Sequence, residues 1–170
     1  MENRWLVALW PQVGAALDML DNALIACPPE RWEDMLWSEP DGYPSFWRLT
    51  FHTLKSLEIN LAGSAEGYAP PPPLSVHPTR PYTKDELRTY LAFARNKCQT
   101  TYAHLSDEAA VRVINIPWLG MSLSYLELQL LNLRHLQEHV AQLSLFLGQH
   151  ATDRDAMDAA LDWIPRARDA

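Results

Sequence analysis

The 170-residue sequence predicts an all-α fold built on four principal helices. Three observations carry this. Apolar residues recur at helical spacing in four segments, loops rich in proline and other turn formers separate those segments, and no alternating strand pattern persists. With 48% apolar side chains the chain can bury one shared core, so residues 1–150 are expected to form a single domain.

The first helix is expected through Val13, Leu17, Leu20 and Leu24, stopped by Pro28 and Pro29. Trp5, Leu6 and Leu9 also fit the pattern, so the helix either begins near Pro11 or kinks there. Residues 28–44, with four prolines and Asp41-Gly42, read as a connection, with Trp32 and Trp37 expected to cap the core. Ser45 is a suitable N-cap for a second helix through Phe46, Leu49, Leu54, Leu57 and Leu61 to Gly63, carrying His52 near its middle.

Residues 64–82 hold six prolines, which rules out a helix or a central strand and makes this the longest connection. Thr83 and Glu86 form a capping-box pattern, starting a third helix that runs to about Leu105. After Pro117 and Gly120 a fourth helix opens at Ser122 or Ser124, is lined by Tyr125, Leu128, Leu136, Leu143 and Phe146, and closes at Gly148. The tail over 151–170 can add a short amphipathic helix, using Met157, Leu161 and Ile164, laid on the bundle or a partner.

A net charge of −7 with the basic residues scattered leaves no footprint for phosphate backbones, so nucleic acid is not an expected partner. No membrane span or signal peptide is expected from the sequence, and Cys27 and Cys98 lie far from any CxxC spacing. A soluble protein of the reducing cytoplasm follows as the expectation.

His135 and His139 stand four residues apart on the fourth helix, so their rings share one face and can converge on one ion. A long helix can also carry two such histidines as plain surface residues. Here Asn132, His135 and His139 share a stripe with Leu128, Leu143 and Phe146, the stripe expected to face the core. Unpartnered imidazoles buried there cost about 1–3 kcal/mol each, and a metal would satisfy both. His52 is the remaining histidine at a mid-helix position, whereas His77, His104 and His150 fall in loops or at helix ends. Taken alone, His52 reads equally as a core histidine bonded to a backbone carbonyl.

The stretches 46–61, FWRLTFHTLKSLEINL, and 132–148, NLRHLQEHVAQLSLFLG, resemble the two metal-bearing helices of the DinB/YfiT-like superfamily. The resemblance extends over about residues 3–149, through the order of helices, the long second connection and the Trp-rich first loop. It implies a four-helix bundle running up-down-down-up, with residues 64–82 as the crossover that lets the second and third helices run parallel. It implies a divalent ion, nickel, zinc or iron, on His52, His135 and His139, with a position left open for chemistry. It further implies a homodimer.

Relatives in that superfamily include low-molecular-weight thiol S-transferases and a thiol-dependent isomerase, so the resemblance favours a thiol cosubstrate and a small-molecule substrate. Two other readings stand beside it: a metal-dependent hydrolase, and a non-catalytic bundle stabilised by metal and used for dimer or partner contacts. For hydrolysis Glu138 offers a general base, since His135-Leu-Gln-Glu138-His139 also has the spacing of inverted zinc proteases. Glu138 is turned about 100 degrees from His139, which places it only at the margin of a site. Asn132, one turn before His135, is expected either to line the pocket or to bond between helices. Trp37, Trp47 and Trp118 are candidates for a pocket wall.

Overall fold

The computed structural model describes residues 4–38 and 44–151, with the side chains of residues 4–7 and of Trp118 left aside. The tail helix expected over 151–170 and the Asp41-Gly42 turn therefore lie outside the described residues. So does any role of Trp5, Leu6 or Trp118 in packing.

Four long helices dominate: α1 (Arg4–Ala26), α2 (Phe46–Ala62), α3 (Lys84–Ala103) and, after smaller elements, α5 (Tyr125–His150). The first and second of these each pack against α3 and α5, so the four surround one core. That core buries Leu17, Leu20 and Leu24 of α1, Phe46 and Leu54 of α2, Leu87 and Tyr90 of α3, and Leu136 and Leu143 of α5. These are the positions that the 3.6-residue period selects.

The first helix runs unbroken through Pro11, starting well before it. Proline inside a helix sacrifices a backbone hydrogen bond at about 3 kcal/mol. The buried residues Leu9 and Val13 on either side hold the segment in place against that cost. Gly63 ends α2 in the left-handed region at φ 71°, with its N–H on the Asn60 carbonyl. A side chain there would be strained and would press on Ile114, 3.4 Å from the position of a Cβ.

Capping boxes start α3 at Thr83 with Glu86, and α5 at Ser124 with Glu127. Ser45 begins α2 without a side-chain cap bond. The final helix continues two residues past the expected stop at Gly148, and Gly148 shows no positive φ.

Between α3 and α5 the fold departs from the purely helical expectation. A short α4 (Asp107–Val111) leads into an antiparallel hairpin of β1 (Val113–Ile116) and β2 (Met121–Ser124), turned by a 3-10 segment and by Gly120 at φ 64°. Ile114 and Ile116 bury against Tyr125 and Leu128 as a small second cluster. Met-Ser-Leu-Ser alternates in sequence and Val-Ile-Asn-Ile alternates only in burial, and four residues are too few to stand out as strands.

Residue pairs show how the helices lie. Asp21 binds Arg88 and Asp18 binds Arg95, so numbers fall along α1 as they rise along α3. Glu58 binds Lys97, and Phe51 lies against Tyr82 and Tyr90, so numbers rise together along α2 and α3. His52 meets His135 while the Leu61 carbonyl accepts from Tyr125, so α2 and α5 run oppositely. The 64–82 connection, free of helix and strand, seats Leu74 and Tyr82 in the core, where the Tyr82 carbonyl accepts from Trp32 Nε1 at 2.7 Å. Trp37 packs on the same core half-buried.

Candidate metal centre

The α2–α5 seam is polar where two helices of a core would ordinarily be apolar. At its lower end Asn132 donates through Nδ2 to the Leu57 carbonyl at 3.1 Å and accepts from Asn60 Nδ2 at 3.3 Å. Gln129 donates to the Asn60 carbonyl at 2.9 Å and accepts from the Tyr102 hydroxyl at 2.9 Å. All four side chains are buried, so each bond fixes the register of one helix on another. Asn132 thus makes the interhelical bonds that were one of its two expected roles.

One turn up from this network, His52 of α2 meets His135 and His139 of α5. The Nε2 atoms of His52 and His135 are 3.3 Å apart, and those of His139 and His135 are 3.0 Å apart. One donor nitrogen from each ring lies within 4.8 Å of the other two. The rings stand edge-on to each other at 66–83°, which aims their nitrogens at a common point instead of stacking their faces.

This donor set fits a divalent ion. Ligands about 2.0–2.1 Å from a metal, at angles of about 90–110 degrees, lie about 2.9–3.4 Å from one another. The two Nε2 contacts fall inside that interval. A proton can bridge one pair of neutral imidazoles, but it cannot serve three converging lone pairs, whereas an ion can. Borderline nitrogen donors suit zinc, nickel or iron(II) better than calcium or magnesium.

The protonation states agree. Burial, reinforced by the neighbouring His139, His135 and Lys55, holds His52 down to about 3. Burial and His139 hold His135 down to about 4, against a small opposing pull from Glu138. Both rings are therefore neutral ligands at physiological pH. His139 Nδ1 lies 2.7 Å from Gln142 Oε1, so Nδ1–H donates outward and the Nε2 lone pair faces the centre. Gln142, absent from the sequence reading, stands three residues along the same helix face, a spacing that could have pointed to it.

These pKa directions set a pH dependence. An unfolded histidine takes up its proton near 6.5, whereas folded His52 and His135 refuse theirs until about 3–4. Between those limits the unfolded chain binds more protons, so metal-free protein loses stability as pH falls from 6.5 towards 4. The slope is at most about 1.4 kcal/mol per pH unit for each ring, and partial exposure lowers it. Urea midpoints of chelator-treated protein at pH 7, 6 and 5 should fall in order, and the fall should shrink in the double variant His52→Gln, His135→Gln. An equal fall in both would refute the assignment to these rings.

A second expected outcome concerns Gln142. Replacement by Leu removes the partner that fixes the His139 tautomer, and metal affinity should drop about 10–100-fold. Competition against a chromogenic chelator measures it, and unchanged affinity would show that Gln142 does not orient the ring.

Glu138 is exposed and acts on the centre only through its charge on His135. His77 is exposed, and His104 and His150 turn back on their own helices, to the Thr100 and Phe146 carbonyls at 2.8 Å each. Trp47, 5% exposed, does wall a cleft, shared with Phe51 and His77.

A helical bundle with three imidazoles converging on one point from two facing helices is a protein able to hold a metal ion in its core. A family model described as the DinB superfamily matches residues 6–143. The chain belongs to the DinB superfamily. No curated protein and no solved structure matches it.

Proposed function

We propose that this protein is a divalent-metal-dependent enzyme whose His52, His135 and His139 hold the ion and leave a coordination position for substrate, and that its reaction is S-transfer from a small-molecule thiol. The observation that carries the reading is the convergence of three Nε2 atoms at metal-ligand spacing. Three protein ligands characterise catalytic rather than structural zinc-type sites. When bound, a divalent ion supplies Lewis acidity that makes a thiol or a water a stronger nucleophile near neutral pH.

The chain's own residues then have distinct tasks. His52 and His135 stay neutral, Gln142 orients His139, and Asn132 holds α5 in register on α2 below the site. Glu138, exposed on the same helix, bears on the centre through its charge on His135. The protein's own thiols are poorly suited to be the nucleophile. Burial pushes both Cys27 and Cys98 up to about 12. An external thiol therefore supports the reading better than an internal one.

The antiparallel pairing of α1 with α3 and of α2 with α5, with α2 and α3 aligned, supports an up-down-down-up bundle with residues 64–82 as its crossover. No helix among the described residues is long and apolar enough to cross a membrane. We place the protein in the reducing cytoplasm on the strength of two buried free thiols. Exposed Leu119, Met121 and Leu130 offer the apolar surface for a homodimer.

The test is turnover by protein loaded with nickel, zinc or iron(II), supplied with glutathione, bacillithiol or mycothiol and a halogenated aromatic electrophile. Loss of the thiol and release of halide that depend on His135 support the transferase. Ester or amide cleavage without a thiol would replace it with a hydrolase, and no turnover of either kind would favour the non-catalytic bundle.

A further inference from the structure

A cleft of about 360 Å³ lies between α2 and the proline-rich connection, walled by Trp47, Phe51, Val76 and Pro78 and edged by Arg48, Lys55 and His77. Its volume is in the range of small-molecule sites. It shares α2 with the metal centre. Arg48 is one turn before His52 and Lys55 one turn after it, only about 40 and 60 degrees around the helix axis. The charge of Lys55 is felt at His52.

Two cations edge this cleft, and they stand outside the ion pairs as Lys84, Arg112 and Arg134 also do among the described residues. The chain's formal charge is −7, and the described ion pairs occupy Arg31, Arg80, Arg88, Arg95 and Lys97. Among the described residues Arg48 and Lys55 take part in none of these pairs. Each instead rests over an aromatic ring, Arg48 over Trp47 at 5.3 Å and Lys55 over Tyr68 at 6.0 Å. Such contacts hold the head groups in place yet use the face of a guanidinium, leaving its in-plane N–H donors for a planar or tetrahedral anion. Carboxylates that could neutralise the pair are absent from the cleft lining.

We propose that this cleft is the anion subsite of the metal centre: a small organic anion seats its carboxylate or phosphate group between Arg48 and Lys55, its apolar part on Trp47 and Phe51, and its reacting end toward His52. This rests on the metal-centre reading for the direction of the reacting end, but not for the recognition of the anion. Substrates of the enzyme are then acidic molecules with an apolar or aromatic portion, and neutral analogues of the same shape are poor ones.

Calorimetric titration of the full chain with phenylphosphonate, benzoate and neutral benzyl alcohol tests this, with metal content measured on the same preparations. Binding of one or both anions at least tenfold tighter than the alcohol is expected, and the stronger of the two identifies the anionic group. The double variant Arg48→Gln, Lys55→Gln should erase the preference while keeping its metal and its helical circular dichroism. In His135→Ala the preference should persist although metal is lost. Equal affinity for anion and alcohol, or a preference unchanged in the double variant, overturns the proposal. Anion binding that vanishes in His135→Ala but ignores the double variant also overturns it, since the anion then sits on the metal. Wild-type protein that holds no metal yet keeps an Arg48- and Lys55-dependent preference supports the subsite and sinks the metal centre alone.

Discussion

His135→Ala should reduce bound metal from about one ion per chain to a trace and lower metal affinity by more than about a hundredfold, beyond what losing an outer-shell partner costs. His135 is the shared vertex of the cluster, with Nε2 contacts to both His52 and His139. Removing it leaves two imidazoles on different helices with no common neighbour, so its loss should exceed that of His52→Ala or His139→Ala. Metal present at about a hundred times its dissociation constant stabilises the native state by about 2.7 kcal/mol. For a chain of this size that corresponds to a Tm rise of about 5–10 °C, which the variant should lack. A variant that binds metal and gains Tm as the wild type does would remove His135 from the site.

The second large effect is expected away from the metal. Glu58, 2% exposed, sits between α2 and α3 with Oε1 bonded to Lys97 at 2.7 Å and Oε2 buried without a hydrogen bond. Beside it Tyr90 is kept protonated by burial and by the neighbouring carboxylate, and its hydroxyl lies 2.6 Å from that of Tyr68. Lys97→Met strands the carboxylate. Breaking a fully buried pair costs about 3–5 kcal/mol, and the half-exposed Lys97 head lowers the expectation to about 2–3 kcal/mol. The double variant Glu58→Gln, Lys97→Met should recover most of this, because no charge is left inside. Denaturant unfolding measures all three proteins, and a single variant within about 0.5 kcal/mol of wild type would show that water reaches Glu58.

Glu58 also marks where sequence reading stops. An acidic residue in a helix looks solvated until the face it occupies is known to pack on α3, and that is a tertiary fact. Several helix ends were legible, because Pro28, Gly63 and Thr83 with Glu86 each act through local backbone chemistry, whereas the start of α5 stayed open between Ser122 and Ser124 and its end at Gly148 was placed two residues early. Pro11 was ambiguous, since its local cost is outweighed only by packing around Leu9 and Val13. The hairpin was missed because four-residue strands carry too little period.

At the metal centre His135 and His139 were readable from their i, i+4 spacing, while His52 depended on resemblance and on the weaker placement of three rival histidines. Gln142 could have been found from its spacing to His139. Arg48 and Lys55 could not, because an exposed cation signals nothing until a cleft and two aromatic faces surround it.

The central claim is that three imidazoles, one from α2 and two from α5, bind one divalent ion. X-ray absorption on stoichiometrically loaded full-length protein tests it most directly, with metal content determined alongside. The account predicts one ion per chain with three imidazole nitrogens at about 2.0–2.1 Å, or slightly longer for a six-coordinate metal, and lighter exchangeable atoms completing the shell. Protein that takes up no ion, or an ion whose shell contains no imidazole, would contradict it.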